Sequence, residues 1–220
     1  MMHKLILAFL ILVLTILSQQ NIPFVVGTAY STNERMLAKH TMSLETRYAN
    51  AYVNGVFKDN ILLTLNYLSG KVADPRNINW SAVESSAKYE LVLEPGEVFA
   101  FHDDVLPEYQ GKVIKTTHAK FGAGQGFRSS GYLYGDGVCH LASLINWAAK
   151  DAGLKVDARV SHDFANIPEV PREYGTSIVT TGTSSLNAEM QNLYVENTFD
   201  KPVTFIFIYE NGDLSVSIYK

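Results

Sequence analysis

Cys139 is the chain's single cysteine, and it follows two closely spaced glycines in Gly135-Asp136-Gly137-Val138-Cys139-His140. A glycine turn that places a thiol at the start of a helix suits nucleophilic acyl transfer. Unsatisfied N–H groups and the positive end of the helix dipole favour a thiolate and lower its pKa. The same turn, through Gly135, Gly137 and Val138, offers main-chain donors for the oxyanion of a tetrahedral intermediate. The bland alternative is a buried cysteine acting as a small hydrophobe. A nucleophilic thiol needs a base. His140 is excluded as the base on geometry, because successive helical residues point about 100° apart. His162, in Arg159-Val160-Ser161-His162-Asp163-Phe164, follows the helix on a segment able to return as a strand, and is the preferred base. His118 and His102 stand in reserve. Cys139, His140 and His162 lack paired metal-ligand spacing, so neither a metal nor another cofactor is expected.

The elements that must position these residues follow from the patterning. Leu141, Leu144, Ile145, Ala148, Ala149 and Ala152 form an apolar stripe on a helix that begins near Cys139 and closes at Gly153. Val203–Tyr209 is apolar on both faces and predicts a central strand. Asn211-Gly212 predicts a type I′ turn, followed by alternation of Leu214, Val216 and Ile218 with polar residues. Leu193–Glu196 predicts a further strand. Tyr89–Leu93 and Val98–Phe101, separated by Glu94-Pro95-Gly96-Glu97, predict a hairpin. Upstream, Ser31–Tyr52 is helix-compatible with a capping box at Ser31 and Glu34, and Asn54-Gly55 punctuates it. A second helix is predicted over Val56–Leu68, and Ser81-Ala82-Val83-Glu84 fits a cap for a short third one. The expected fold is α+β, a largely antiparallel sheet packed with the helix that starts at the Cys139 turn. Residues 30–87 are expected to be a helical lead-in and 88–220 the main domain.

Hydrophobic residues make up 47% of the 220 and charged residues 18%, so a packed core is expected. A formal net charge of −4 lacks the basic footprint that phosphates require, so nucleic acid is not an expected partner. Lys4 precedes an apolar run from Leu5 to Leu17, too short for a spanning helix and suited to a secretory signal; residues 1–29 are expected to be a signal peptide, or an anchor in the cytoplasmic membrane if uncleaved. Either outcome places the remainder outside the cytoplasm.

These residues together resemble the VanW-like family. The resemblance runs from about Leu91 to Lys220 and rests on Leu93-Glu94-Pro95-Gly96-Glu97-Val98-Phe99-Ala100-Phe101, then Gly135–His140, Ala152-Gly153-Leu154, Arg159–His162 and Asn192–Asn197. It implies a bacterial cell-envelope protein and, for some members, a cysteine L,D-transpeptidase that makes 3→3 peptidoglycan cross-links. Cys139 would attack a stem-peptide amide and form a thioester, with His162 handling the proton. A papain-like wall-peptide amidase and a non-catalytic peptidoglycan-binding or accessory domain are the alternatives. The chain departs from the family pattern in having His140 where Gln is usual, Ala142-Ser143-Leu144 where a Ser/Thr-rich run is usual, and Gly175-Thr176-Ser177-Ile178 without the acidic residue expected there. The orienter of His162 is therefore open among Asp136, Asn166 and a main-chain carbonyl.

Overall fold

A computed structural model describes residues 34–131, 134–180 and 185–220. The signal or anchor expectation for residues 1–29 lies outside the described residues, as does Ser31 of the expected capping box. Residues Glu34–Lys220 form one compact unit.

The fold is α+β, with two four-stranded sheets. The first takes the order β1-β8-β7-β2 and is antiparallel throughout; its strands are β1 (Met36–Ser43), β2 (Ala87–Leu93), β7 (Val203–Glu210) and β8 (Asp213–Tyr219). β7 was legible as an apolar run and β8 from its alternation. Asn211 and Gly212 both have positive φ, 53° and 86°, which is what a type I′ turn demands. β7 lies inside the sheet and buries Phe205 and Phe207, although Ile208 faces outward at 37% exposure.

The second sheet takes the order β4-β3-β6-β5, with β3 (Val98–Ala100), β4 (Ile114–Thr116), β5 (Lys155–Asp157) and β6 (Tyr194–Glu196). Only β3–β4 is parallel. Here the expected hairpin fails. The turn at Pro95-Gly96 exists, but β2 pairs with β7 and β3 pairs with β4 and β6. Buried Asn197 explains the parting. Its side-chain N–H groups donate to Leu93 and Lys201 carbonyls and its main-chain carbonyl accepts Gly96 N–H, so the turn carries the chain from one sheet to the other.

The lead-in is also corrected. Residues 36–43 form not a helix but β1, whose buried Ala38 and Met42 pack into the core while its backbone pairs with β8. Leu37, Ala38 and Lys39 favour helix locally, and pairing with the far end of the chain overrides them. The helix α1 (Ala51–Leu68) starts earlier than expected, because the Asn50 side chain accepts Tyr52 and Val53 N–H groups. Asn54 lies inside it, its amide donating to Leu44 and accepting from Tyr48 N–H. The short α2 (Trp80–Val83) is capped by Asn79, not Ser81. A last short helix, α4, spans Ser185–Met190.

The helix α3 (Val138–Asp151) packs against β1, β8 and α1. Its stripe of Leu141, Ala142, Leu144, Ile145, Ala148 and Ala149 is fully enclosed, and Gly153 closes it at φ 79°. Burying one such leucine stabilises the fold by about 1.5–3 kcal/mol.

Candidate functional site

The turn before α3 is held by α1. Asn60, wholly buried, donates its amide to the carbonyls of Arg128 (3.0 Å) and Asp136 (2.9 Å) and accepts Arg128 N–H (2.8 Å). Gly137 caps the helix at φ 97°, and a Cβ there would sit 2.7–2.8 Å from the Phe57 backbone. Only glycine fits that contact. Cys139 is then the second residue of α3, as the sequence predicted.

A second clamp fixes the strand-like segment opposite. Ser143 Oγ donates to the Cys139 carbonyl at 2.7 Å and accepts Thr176 N–H at 2.8 Å. Asn146 donates to Thr176 Oγ1 and to the Tyr174 carbonyl, each at 2.9 Å. The following Ile178 donates its N–H to Cys139 Sγ at 3.3 Å, and its carbonyl lies 3.7 Å from the same sulfur. Residues Ser161 and Thr176 bridge antiparallel, and His162 N–H donates to the Gly175 carbonyl. One segment thus ties both Cys139 and His162 to α3.

These residues open on a cavity of about 490 Å³. Cys139, His140 and His162 all line it, with the Gly135–Gly137 turn, Asn166, and an aromatic surround of Tyr48, Phe57, Tyr134 and Phe164. Tyr48, Tyr134 and Phe164 are exposed, Phe164 to 74%, so Tyr134 serves the cavity rim and not the core. Arg47 also contributes. Its buried guanidinium pairs with Glu169 and donates to the Ser43 and Pro168 carbonyls.

His162 Nδ1 lies 3.2 Å from the Ala165 carbonyl. A carbonyl only accepts, so Nδ1 carries the proton and Nε2 keeps its lone pair. A main-chain carbonyl is therefore the orienter. Asp136 is spoken for, its carboxylate accepting Ser130 N–H and Oγ–H at 2.8 Å each. Asn166 is exposed at the cavity edge and has no hydrogen bond to His162 among the described residues. His102 is buried in a structural role, its Nδ1 accepting Asp104 N–H, and His118 is exposed beside Thr116.

The electrostatics overturn one expectation. Burial pushes the Cys139 thiol up to about 11, reinforced by the negative charge of Asp136, and the Ile178 hydrogen bond offsets only part of this. The helix terminus does not make a resting thiolate, because burial of the sulfur outweighs the main-chain hydrogen bonds that lower its pKa. Burial likewise lowers His140, to about 3, helped by Arg47 and His162, and it lowers His162. The oxyanion proposal for Val138 also changes: its N–H donates to Gly135 within the turn. Cys139 N–H finds no main-chain acceptor among the described residues. The same residues contain no cluster of His, Cys, Asp and Glu able to hold a metal.

The family model described as VanW like protein matches residues 75–219. The chain belongs to the VanW-like family. No curated protein and no solved structure matches it. The match extends upstream of the Leu91 motif to include α2 and the start of β2, whereas β1 and α1 precede it. Arg47, Tyr48 and Phe57 therefore bring to the cavity a wall that no family motif covered.

Proposed function

We propose that this VanW-like protein is an exported cell-envelope cysteine acyltransferase, an L,D-transpeptidase that joins peptidoglycan stem peptides through a Cys139 thioester. The observation that carries it is the shared cavity: Cys139 and His162 both line it, and the Ala165 carbonyl holds the His162 proton on Nδ1 and leaves Nε2 unprotonated. The resting pair is a neutral thiol and a neutral imidazole, so the chemistry is general-base catalysis. His162 Nε2 takes the thiol proton as Sγ bonds the donor carbonyl, and Cys139 N–H receives the oxyanion. The C–N bond then breaks and the leaving amine takes the proton from His162. Attack on the thioester by the amine of a second stem restores Sγ, its proton passing through His162 back to sulfur. Sγ and His162 make no direct hydrogen bond among the described residues, and ligand binding would bring them together, as catalytic contacts often tighten only in the complex.

The apolar run Leu5–Leu17 after Lys4 supports export. No helix among the described residues is long and apolar enough to cross a membrane. A second reading, a non-catalytic wall-binding domain, is favoured by the raised thiol pKa. Product analysis of muropeptide mixtures separates the readings. Cross-linked dimers that depend on Cys139 and His162 support the transpeptidase, released peptides without dimers indicate an amidase, and an unchanged mixture favours the binding domain.

A further inference from the structure

His140 carries a buried ring nitrogen that the fold leaves unpaired. The residue is 5% exposed, and its Nδ1 has no hydrogen-bond partner among the described residues. Buried polar atoms are nearly always paired, so each exception calls for an explanation. Asn146 Oδ1 is a second such atom, but Asn146 belongs to the Ser143–Thr176 clamp and does not line the cavity. The His140 ring does line it, edge-on to Phe57 at 5.1 Å and to His162 at 6.1 Å between centroids. The second torsion of a histidine is broad and roughly two-fold, and turning the ring about it is the movement by which the nitrogen would meet a ligand.

The remaining lining defines the partner. Arg47 already holds Glu169 as its counter-ion, although its positive charge is still felt at His140, and the Asp136 carboxylate is bound by Ser130. The negative charge of Asp136, felt at Cys139, opposes a second anion near the thiol. Phe57, Tyr48 and Phe164 contribute apolar faces and no countercharge. A carboxylate only accepts and an ammonium only donates, and either brings an unpaired charge into this space. A neutral amide offers a donor and an acceptor, so it satisfies Nδ1 in either tautomer.

We propose that His140 is a specificity-determining residue of the cavity, hydrogen-bonding an uncharged peptide amide of the ligand and selecting it over a charged chain end at that position, an inference that rests on the peptide-binding reading of the site. Burial keeps the imidazole neutral, so it does not become a cation that would welcome a carboxylate. The test uses the full chain carrying Cys139→Ala, which removes covalent chemistry. Imidazole nitrogen NMR follows titration with N-acetyl-alanyl-alaninamide and, separately, with the free acid N-acetyl-alanyl-alanine. The amide is expected to bind at least tenfold more tightly and to move the His140 ring nitrogens. His140→Phe should erase that preference, and His140→Gln, which keeps a donor and an acceptor, should retain most of it. Equal or tighter binding of the acid overturns the inference, as does a preference that survives His140→Phe or saturable binding of neither probe. An amide preference without any thioester on the native protein would remove the transpeptidase and keep this inference. A thioester without the preference would do the reverse.

Discussion

Replacing His140 with glutamine should make the protein more resistant to acid. In the fold, burial holds the imidazole near a pKa of about 3, against an ordinary value of 6.5. Between those values the unfolded chain binds a proton that the folded chain refuses, so stability is complete above pH 6.5 and is lost as pH falls towards 3. At pH 4.5 the deficit is two units, and at about 1.4 kcal/mol per unit it comes to about 2.7 kcal/mol. Glutamine does not titrate, so His140→Gln removes this loss whatever the substitution does to stability at neutral pH. His102 is also lowered by burial but remains in the variant and cancels from the comparison; His162 remains too, and its charge felt at His140 is part of the difference measured. Urea unfolding of the two proteins at pH 7.5 and pH 4.5 gives the double difference. The parent should lose more stability than the variant between those pH values, by about 2–3 kcal/mol. Losses equal to within about 0.5 kcal/mol would refute the buried, neutral imidazole, and with it the electrostatic picture of the cavity.

Cys139 should alkylate slowly at neutral pH. Its rise from 9.0 to about 11 leaves roughly a hundredfold less thiolate than an ordinary cysteine, and the iodoacetamide rate should climb about tenfold per pH unit to near pH 10; a plateau near pH 7 would contradict this. Gly137→Ala should destabilise the fold by about 2 kcal/mol or more, since the new Cβ meets the Phe57 backbone at 2.7 Å at a positive φ, and thermal unfolding checks it. Ser143→Ala leaves buried Thr176 N–H without its acceptor and should cost about 1–3 kcal/mol in urea unfolding, whereas a neutral effect would mean the clamp on the Ile178 segment is dispensable.

Much of the frame was legible in local pattern. The β7–β8 hairpin followed from the apolar run Val203–Tyr209, the Asn211-Gly212 turn and the alternation after it, and α3 followed from its stripe and Gly153, because those signals act within a few residues. β1 was not legible, since Leu37 and Lys39 favour helix locally and the deciding partner is β8 at the chain's other end. The failed β2–β3 hairpin has the same cause, with Asn197 drawing the turn between sheets. Cys139 and His162 were found from residue type and position, and the structure puts both on one cavity. His140 makes no hydrogen bond to Sγ among the described residues, yet it lines the same cavity as Cys139. Arg47 and Phe57 carried no motif and no chemical spacing. The thiol's pKa was misjudged in direction because the helix terminus is visible in sequence, whereas the Ile178 segment that buries the sulfur is not.

The nucleophilic role of Cys139 is tested most directly by intact-mass analysis of the protein with tetrapeptide-bearing muropeptides, run beside Cys139→Ala and His162→Gln. With Cys139 as nucleophile, an acyl adduct forms on the native protein, none forms on Cys139→Ala, and formation on His162→Gln is strongly slowed. An unmodified native protein, or an adduct of equal yield on Cys139→Ala, would contradict it.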